Sequence, residues 1–140
     1  MMGAARELAS PLPPYAMGLG IVCTGFEGDA PLLACDFSDR VIGRPDFFQG
    51  GAISGLLEMA ALAAVQETLA RQDRHARLKP VNISVQFMRG AGPQRLFALG
   101  LVERAGRRMV NVTALAWQED RTRPVASAWM NVMLRAGEAR

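Results

Sequence analysis

Two periodicities divide this chain. From 81 to 88, apolar Val81, Ile83, Val85 and Phe87 alternate with polar Asn82, Ser84 and Gln86. That period of two predicts a strand with one buried face. Strand-like segments follow at 95–103, 108–117 and 124–134; Arg104-Ala105-Gly106 turns between the first two, and polar 118–123 joins the last two. Earlier, 18–27 and 31–38 flank Gly28-Asp29-Ala30, a hairpin signal. Between these groups, 50–72 contains no proline and is rich in Ala and Leu, which predicts the longest helix. From Ala52 to Val65 its residues are apolar almost all round, so the helix is expected to be buried, emerging from Gln66 onward. Its alanines let a sheet approach closely on several sides.

Residues 39–49 read as a loop punctuated by Gly43 and Pro45, and 73–80 as a breaker. Residues 1–16 form a polar lead-in, with a helical turn expected at Ala4–Leu8. Two strands before the helix and four after it predict an α+β meander, with one sheet of five to six antiparallel strands curled round the inserted helix. At 140 residues this is expected to be a single domain, 1–140.

Composition narrows the function. Half the residues are hydrophobic and 21% charged, which excludes a disordered chain. No uninterrupted apolar run reaches the roughly 20 residues of a bilayer crossing, and the lead-in lacks a signal peptide's apolar stretch. The expectation is a cytoplasmic protein with no membrane partner. A net charge of +3 suits an anionic ligand but is no nucleic-acid footprint. The basic run Arg71, Arg74, Arg77 and Lys79 is expected to be a solvated helix end complementing the macrodipole. Cys23 and Cys35 have no metal-ligand spacing; a hairpin would set them nearly opposite, as free, buried thiols. No metal or redox cofactor is indicated.

Candidate chemistry sits on the helix. Gly50-Gly51 opens it, and the unpaired N–H groups of a first turn suit an anion or a developing oxyanion. The same pair also serves simply as a permissive helix start. Glu58 is the sole ionisable residue between Asp46 and Glu67, in an otherwise apolar stretch. A carboxylate there needs a partner or a task; an exit between strands or an arginine partner is the structural alternative. Eight residues separate Gly50 from Glu58, about 12 Å along one helix. Oxyanion donors and an attacking group must each come within about 3 Å of the reacting carbonyl. If both act, Gly50 of one subunit must meet Glu58 of another, which requires at least a dimer.

IGRPDFFQGGAISGLLEMAALAA (42–64) resembles the signature of hotdog-fold acyl-CoA thioesterases of the phenylacetic-acid-degradation type. That signature is His-Gly-Gly, with an Asp or Glu nine residues after the His. Gln49, Gly50, Gly51 and Glu58 occupy those places, and VQFMRGAG (85–92) resembles the family's strand after the helix. The resemblance spans about Leu12 to Leu134. It implies that the Gly50 N–H polarises a thioester carbonyl, and that Glu58 of the partner subunit attacks it or activates water. Gln49 would assist, Gly51 and Gly43 would line the site, and Arg89, Arg107 and Arg108 are the rim candidates for the phosphates of coenzyme A, which enters as part of the substrate. It also implies a homodimer or homotetramer. Two positions depart from the pattern. Gln49 replaces the His and cannot titrate, and Gly43 stands where many members carry an Asn or Gln that holds the attacking water.

Rival readings have weaker support. A hotdog dehydratase pairs a His with its acid, and the single His75 lies in the charged helix end. A non-catalytic acyl-CoA or lipid-binding protein fits Gln49 and Gly43, but would gain from Leu or Met in place of Glu58. Ser54 and Ser84 lack a neighbouring His for a triad. Trp117 and Trp129 are expected to pack on the sheet, and the eight methionines to fill core gaps. Phe47 and Phe48, just before the helix, are candidates for contact with a bulky or aromatic acyl group, or equally for a subunit interface.

Overall fold

A computed structural model describes residues 6–136. Pro14–Leu19 forms a short helix, α1, followed by strands β1 (Ile21–Glu27) and β2 (Ala30–Cys35). The long helix α2 (Gly50–Arg71) comes next, then β3 (Ala76–Phe87), β4 (Leu96–Ala105), β5 (Met109–Trp117) and β6 (Ala126–Ala136). The six strands make one antiparallel sheet in the order β1-β2-β4-β5-β6-β3, with α2 against one face. This is the hotdog architecture. It is not the plain meander expected: α2 carries the chain across the sheet, so β3 lands at the far edge beside β6 and β2 pairs with β4.

The core is the interface between α2 and the sheet. Leu56, Leu57, Val65 and Leu69 meet Leu33, Leu96, Val110, Val112, Met130 and Val132, all fully buried. The alanines of α2 allow the close approach the sequence implies. A Cβ on Gly100 of β4 would stand 2.6 Å from the Ala60 carbonyl oxygen and 2.9 Å from Ala64 Cβ. By length and mean hydropathy α2 would pass as a membrane-crossing helix although Glu58 interrupts its apolar run, but two-thirds of its most apolar window is buried in this fold. It is also less uniformly covered than expected. Ser54, Glu58, Leu62 and Gln66 are half-buried, and at intervals of four they form one stripe the sheet leaves open.

Several local expectations change. Of the helical turn expected at Ala4–Leu8, residues 4 and 5 lie outside the described residues, and 6–8 are not helical. The helix forms instead at Pro14, whose ring presets the first turn, and ends at Gly20 with φ +79°. That helix also takes the first residues of the strand expected from 18. β3 begins at Ala76 and runs through the expected breaker, so Arg77 and Lys79 are strand residues and not part of a helix end. Pro80 is tolerated because β3 is an edge strand with a register shift between Pro80 and Asn82. Val81, Ile83 and Phe87, expected to be buried, are exposed at that edge. Cys23 pairs with Leu33 and Cys35 with Ile21, so the thiols are offset along the hairpin. Both are free, Cys23 half-buried and Cys35 buried, and burial raises the Cys35 thiol pKa.

Candidate active site

Backbone hydrogen bonds deliver the chain to the start of α2. In the loop before it, Gly43 N donates to Phe47 O at 2.9 Å and Gln49 N to Val41 O at 2.7 Å. Phe48 N donates to Ala91 O at 2.9 Å, and Ile42 and Phe48 form an isolated antiparallel bridge. Asp46 makes the reversal with φ +67°. The loop therefore fixes Gln49 as N-cap, at φ −67° and ψ 140°, and Gly50 as the first helical residue.

The Gln49 side chain does not cap the helix. Its Oε1 lies over Gly51, 3.5 Å from where a Cβ would stand. The amides of Gly50 and Gly51 donate no hydrogen bond among the described residues and are exposed. Two open donors at the positive end of a 22-residue helix are a ready receptor for an oxyanion. Phe87 from the end of β3 borders them, its ring 3.6 Å from the Cβ position of Gly50.

Glu58 sits half-buried on the open stripe of α2, with neither a hydrogen bond nor an ion pair among the described residues. It lies on the same continuous helix as Gly50, eight residues on, hence about 12 Å away within one protomer. The fully buried carboxylate of α2 is Glu67, which sequence reasoning placed on an emerging polar end. Glu67 is 5% exposed, accepts a hydrogen bond from Ala9 N and pairs with Arg6 at 3.4 Å. It ties the N-terminal segment to the helix, while Glu58 has no such partner among the described residues.

The remaining candidates are spread out. Gly43 packs directly on Gln49: a Cβ there would stand 2.9 Å from Gln49 Cα. Phe48 is buried, in an edge-to-face contact with Phe37 at 5.3 Å, so its ring is part of the core wall. Phe47 is half-buried beneath the Arg44 guanidinium. Arg89 follows β3 near the helix start and donates to Pro124 O at 3.2 Å. Arg107 and Arg108 form the β4–β5 turn at the opposite end of α2, where Arg74 donates to Gly106 O at 2.9 Å. With Arg74, His75 and Arg135 they line a basic groove.

A wider groove of about 840 Å³ on the other face of the sheet is lined by Leu99, Leu101, Leu115, Trp117 and Trp129, and touches neither Gly50 nor Glu58. Trp117 is buried and stacked on Phe97, while Trp129 is half exposed.

One contact escaped the sequence reading altogether. Tyr15 of α1 lies against Gly55 of α2, and a Cβ on Gly55 would meet its ring carbons at 3.0 and 3.1 Å. A glycine inside a helix costs about 1 kcal/mol relative to alanine, and that cost was the signal that something packs there.

The fold is that of a hotdog thioesterase. The model of the thioesterase superfamily matches residues 48–125, more than half of the chain and the whole of α2. The chain belongs to that superfamily and is a thioester hydrolase. Solved structures agree. A phenylacetic acid degradation-related protein of Ralstonia eutropha is 25% identical, with a TM-score of 0.76 over 89% of this chain and 92% of that one. A Chromobacterium violaceum protein is 28% identical, with a TM-score of 0.70 over 89% and 85%. A Haemophilus influenzae thioesterase, 15% identical, shares the fold with a TM-score of 0.78 over 87% and 82%. No curated protein sequence matches the chain.

Proposed function

We propose that the chain hydrolyses an acyl- or aryl-CoA thioester at a site shared by two subunits of a cytoplasmic homodimer. The observation that carries this reading is an open helix start and an unpaired acid on one helix of a thioester hydrolase, too far apart to serve one carbonyl alone. The Gly50 N–H polarises the carbonyl. Glu58 of the partner subunit takes a proton from water, whose oxygen bonds the carbonyl carbon. The C–S bond then breaks, and the proton passes to the sulfur of coenzyme A.

Among the described residues no strand pairs with the outer edge of β3, and this supports the shared site. Val81, Ile83 and Phe87 of β3 are exposed, as is Met88 just after it, and an apolar edge without a partner strand among the described residues is a template for a second strand. Antiparallel pairing of two β3 edges about a twofold sets the start of one strand against the end of the other. The Arg107-Arg108 turn of one subunit then approaches the Gly50 end of its partner. That explains how Arg89, Arg107 and Arg108 serve one rim for the phosphates although a single chain holds them apart.

Thiol release from a panel of aliphatic and aromatic acyl-CoAs tests the reading. The wild type turns over at least one member, and Glu58→Gln lowers kcat by about a hundredfold or more while the fold and oligomer persist, on the scale of general acid–base catalysis. Activity of Glu58→Gln within a few-fold of wild type would assign Glu58 a structural role and defeat the proposal.

A further inference from the structure

We infer that Tyr15 is a positioning residue of the hydrolytic site, its hydroxyl holding the attacking water against Glu58 of its own chain. The inference rests on the proposed role of Glu58 and deepens it. Gly55 and Glu58 are three residues apart on α2, and side chains at that spacing lie on one face with Cβ positions about 5–6 Å apart. Helical side chains lean toward the N-terminus, over the preceding turn. The Glu58 carboxylate is thereby directed over Ser54 and Gly55. The Tyr15 hydroxyl occupies the notch that the missing side chain of Gly55 leaves there.

Three observations separate this from mere packing. Tyr15 is 53% exposed and its hydroxyl makes no hydrogen bond among the described residues, so the hydroxyl is open to water and not sealed into the packing. The Glu58 carboxylate is likewise unpaired. Two solvent-reachable polar groups on neighbouring positions of one helix surface, with no hydrogen bond between them, are the condition for a bridging water. The hydroxyl is also well held: α1 is anchored by fully buried Ala16 next to it, started by Pro14 and closed by Gly20.

The arrangement accounts for Gly43 as well. A side chain at 43 would drive into the Gln49 backbone, so position 43 itself supplies no group to hold a water. Tyr15 supplies one, on the chain that carries the base. In the step itself the hydroxyl accepts or donates a hydrogen bond without net transfer: the water proton goes to Glu58 and the water oxygen to the carbonyl carbon.

Tyr15→Phe removes the hydroxyl and keeps the ring on Gly55. Full-chain wild type, Tyr15→Phe and Glu58→Gln are compared on the best acyl-CoA of the panel. We expect Tyr15→Phe to lower kcat by on the order of tenfold, with KM within twofold and an unchanged melting temperature, as for loss of a contact to the reacting water. A kcat within twofold of wild type, with Glu58→Gln inactive, overturns the role of Tyr15 alone. An active Glu58→Gln overturns the site reading with it. A change in KM and melting temperature without a change in kcat makes the hydroxyl a packing group and also rejects the inference.

Discussion

At Gly43 the missing side chain decides the shape of the helix start. A Cβ would stand 2.9 Å from Gln49 Cα and 3.3 Å from Gln49 N, both backbone atoms that cannot swing aside. Gly43→Asn is therefore expected to destabilise the protein by about 1–3 kcal/mol, the cost of overpacking. It should lower turnover, since Gln49 and the Gly50 amide move together. Urea midpoints and thiol release on the same preparation check both effects; a stable and faster Gly43→Asn enzyme would contradict the packing argument. Gly50, Gly51 and Glu58 were legible in the sequence because they share one uninterrupted helix, where spacing fixes geometry. Tyr15 and Glu67 were not: each acquires its surroundings only when the N-terminal segment folds onto α2, and no local period reports that contact. The burial of Phe48 was hidden for the same reason, its partner Phe37 lying across the loop.

Among the elements, α2 and β4 are matched at Gly100, where three atoms of Ala60, Ala61 and Ala64 lie within 3.0 Å of a hypothetical Cβ. Gly100→Ala should force helix and sheet apart at a point with no flexible side chain to yield. A loss of about 1–3 kcal/mol is expected, read as a lower urea midpoint with an unchanged m-value. A neutral substitution would mean that the helix floats on the sheet. The buried character of α2 could be read from its all-round apolarity, and the strands from their alternation. The place of β3 could not, because strand order depends on pairings far apart in sequence. Its alternation of Val81, Ile83, Val85 and Phe87 reads like a core face, yet most of it is exposed in a single chain. The pattern records a face that needs burying, but not what buries it.

For the whole molecule, one consequence follows from the length of α2 and the unpaired edge of β3. Within one chain the open amides of Gly50 and Gly51 and the Glu58 carboxylate, unpaired among the described residues, stand about 12 Å apart on one helix, and on the proposed mechanism neither completes a site. On the proposed shared site, activity depends on the assembly. The most direct test mixes two inactive enzymes. Gly50→Pro deletes the one amide hydrogen while suiting the first helical position, where proline is favoured and Gln49 already has the extended backbone a following proline requires. Glu58→Gln deletes the acid. Each alone should be inactive. Unfolded together in equal amounts and refolded, half the dimers are hybrids with one intact site, so roughly a quarter of wild-type activity should return. Hybrid dimers that form and remain inactive would contradict a site shared between subunits.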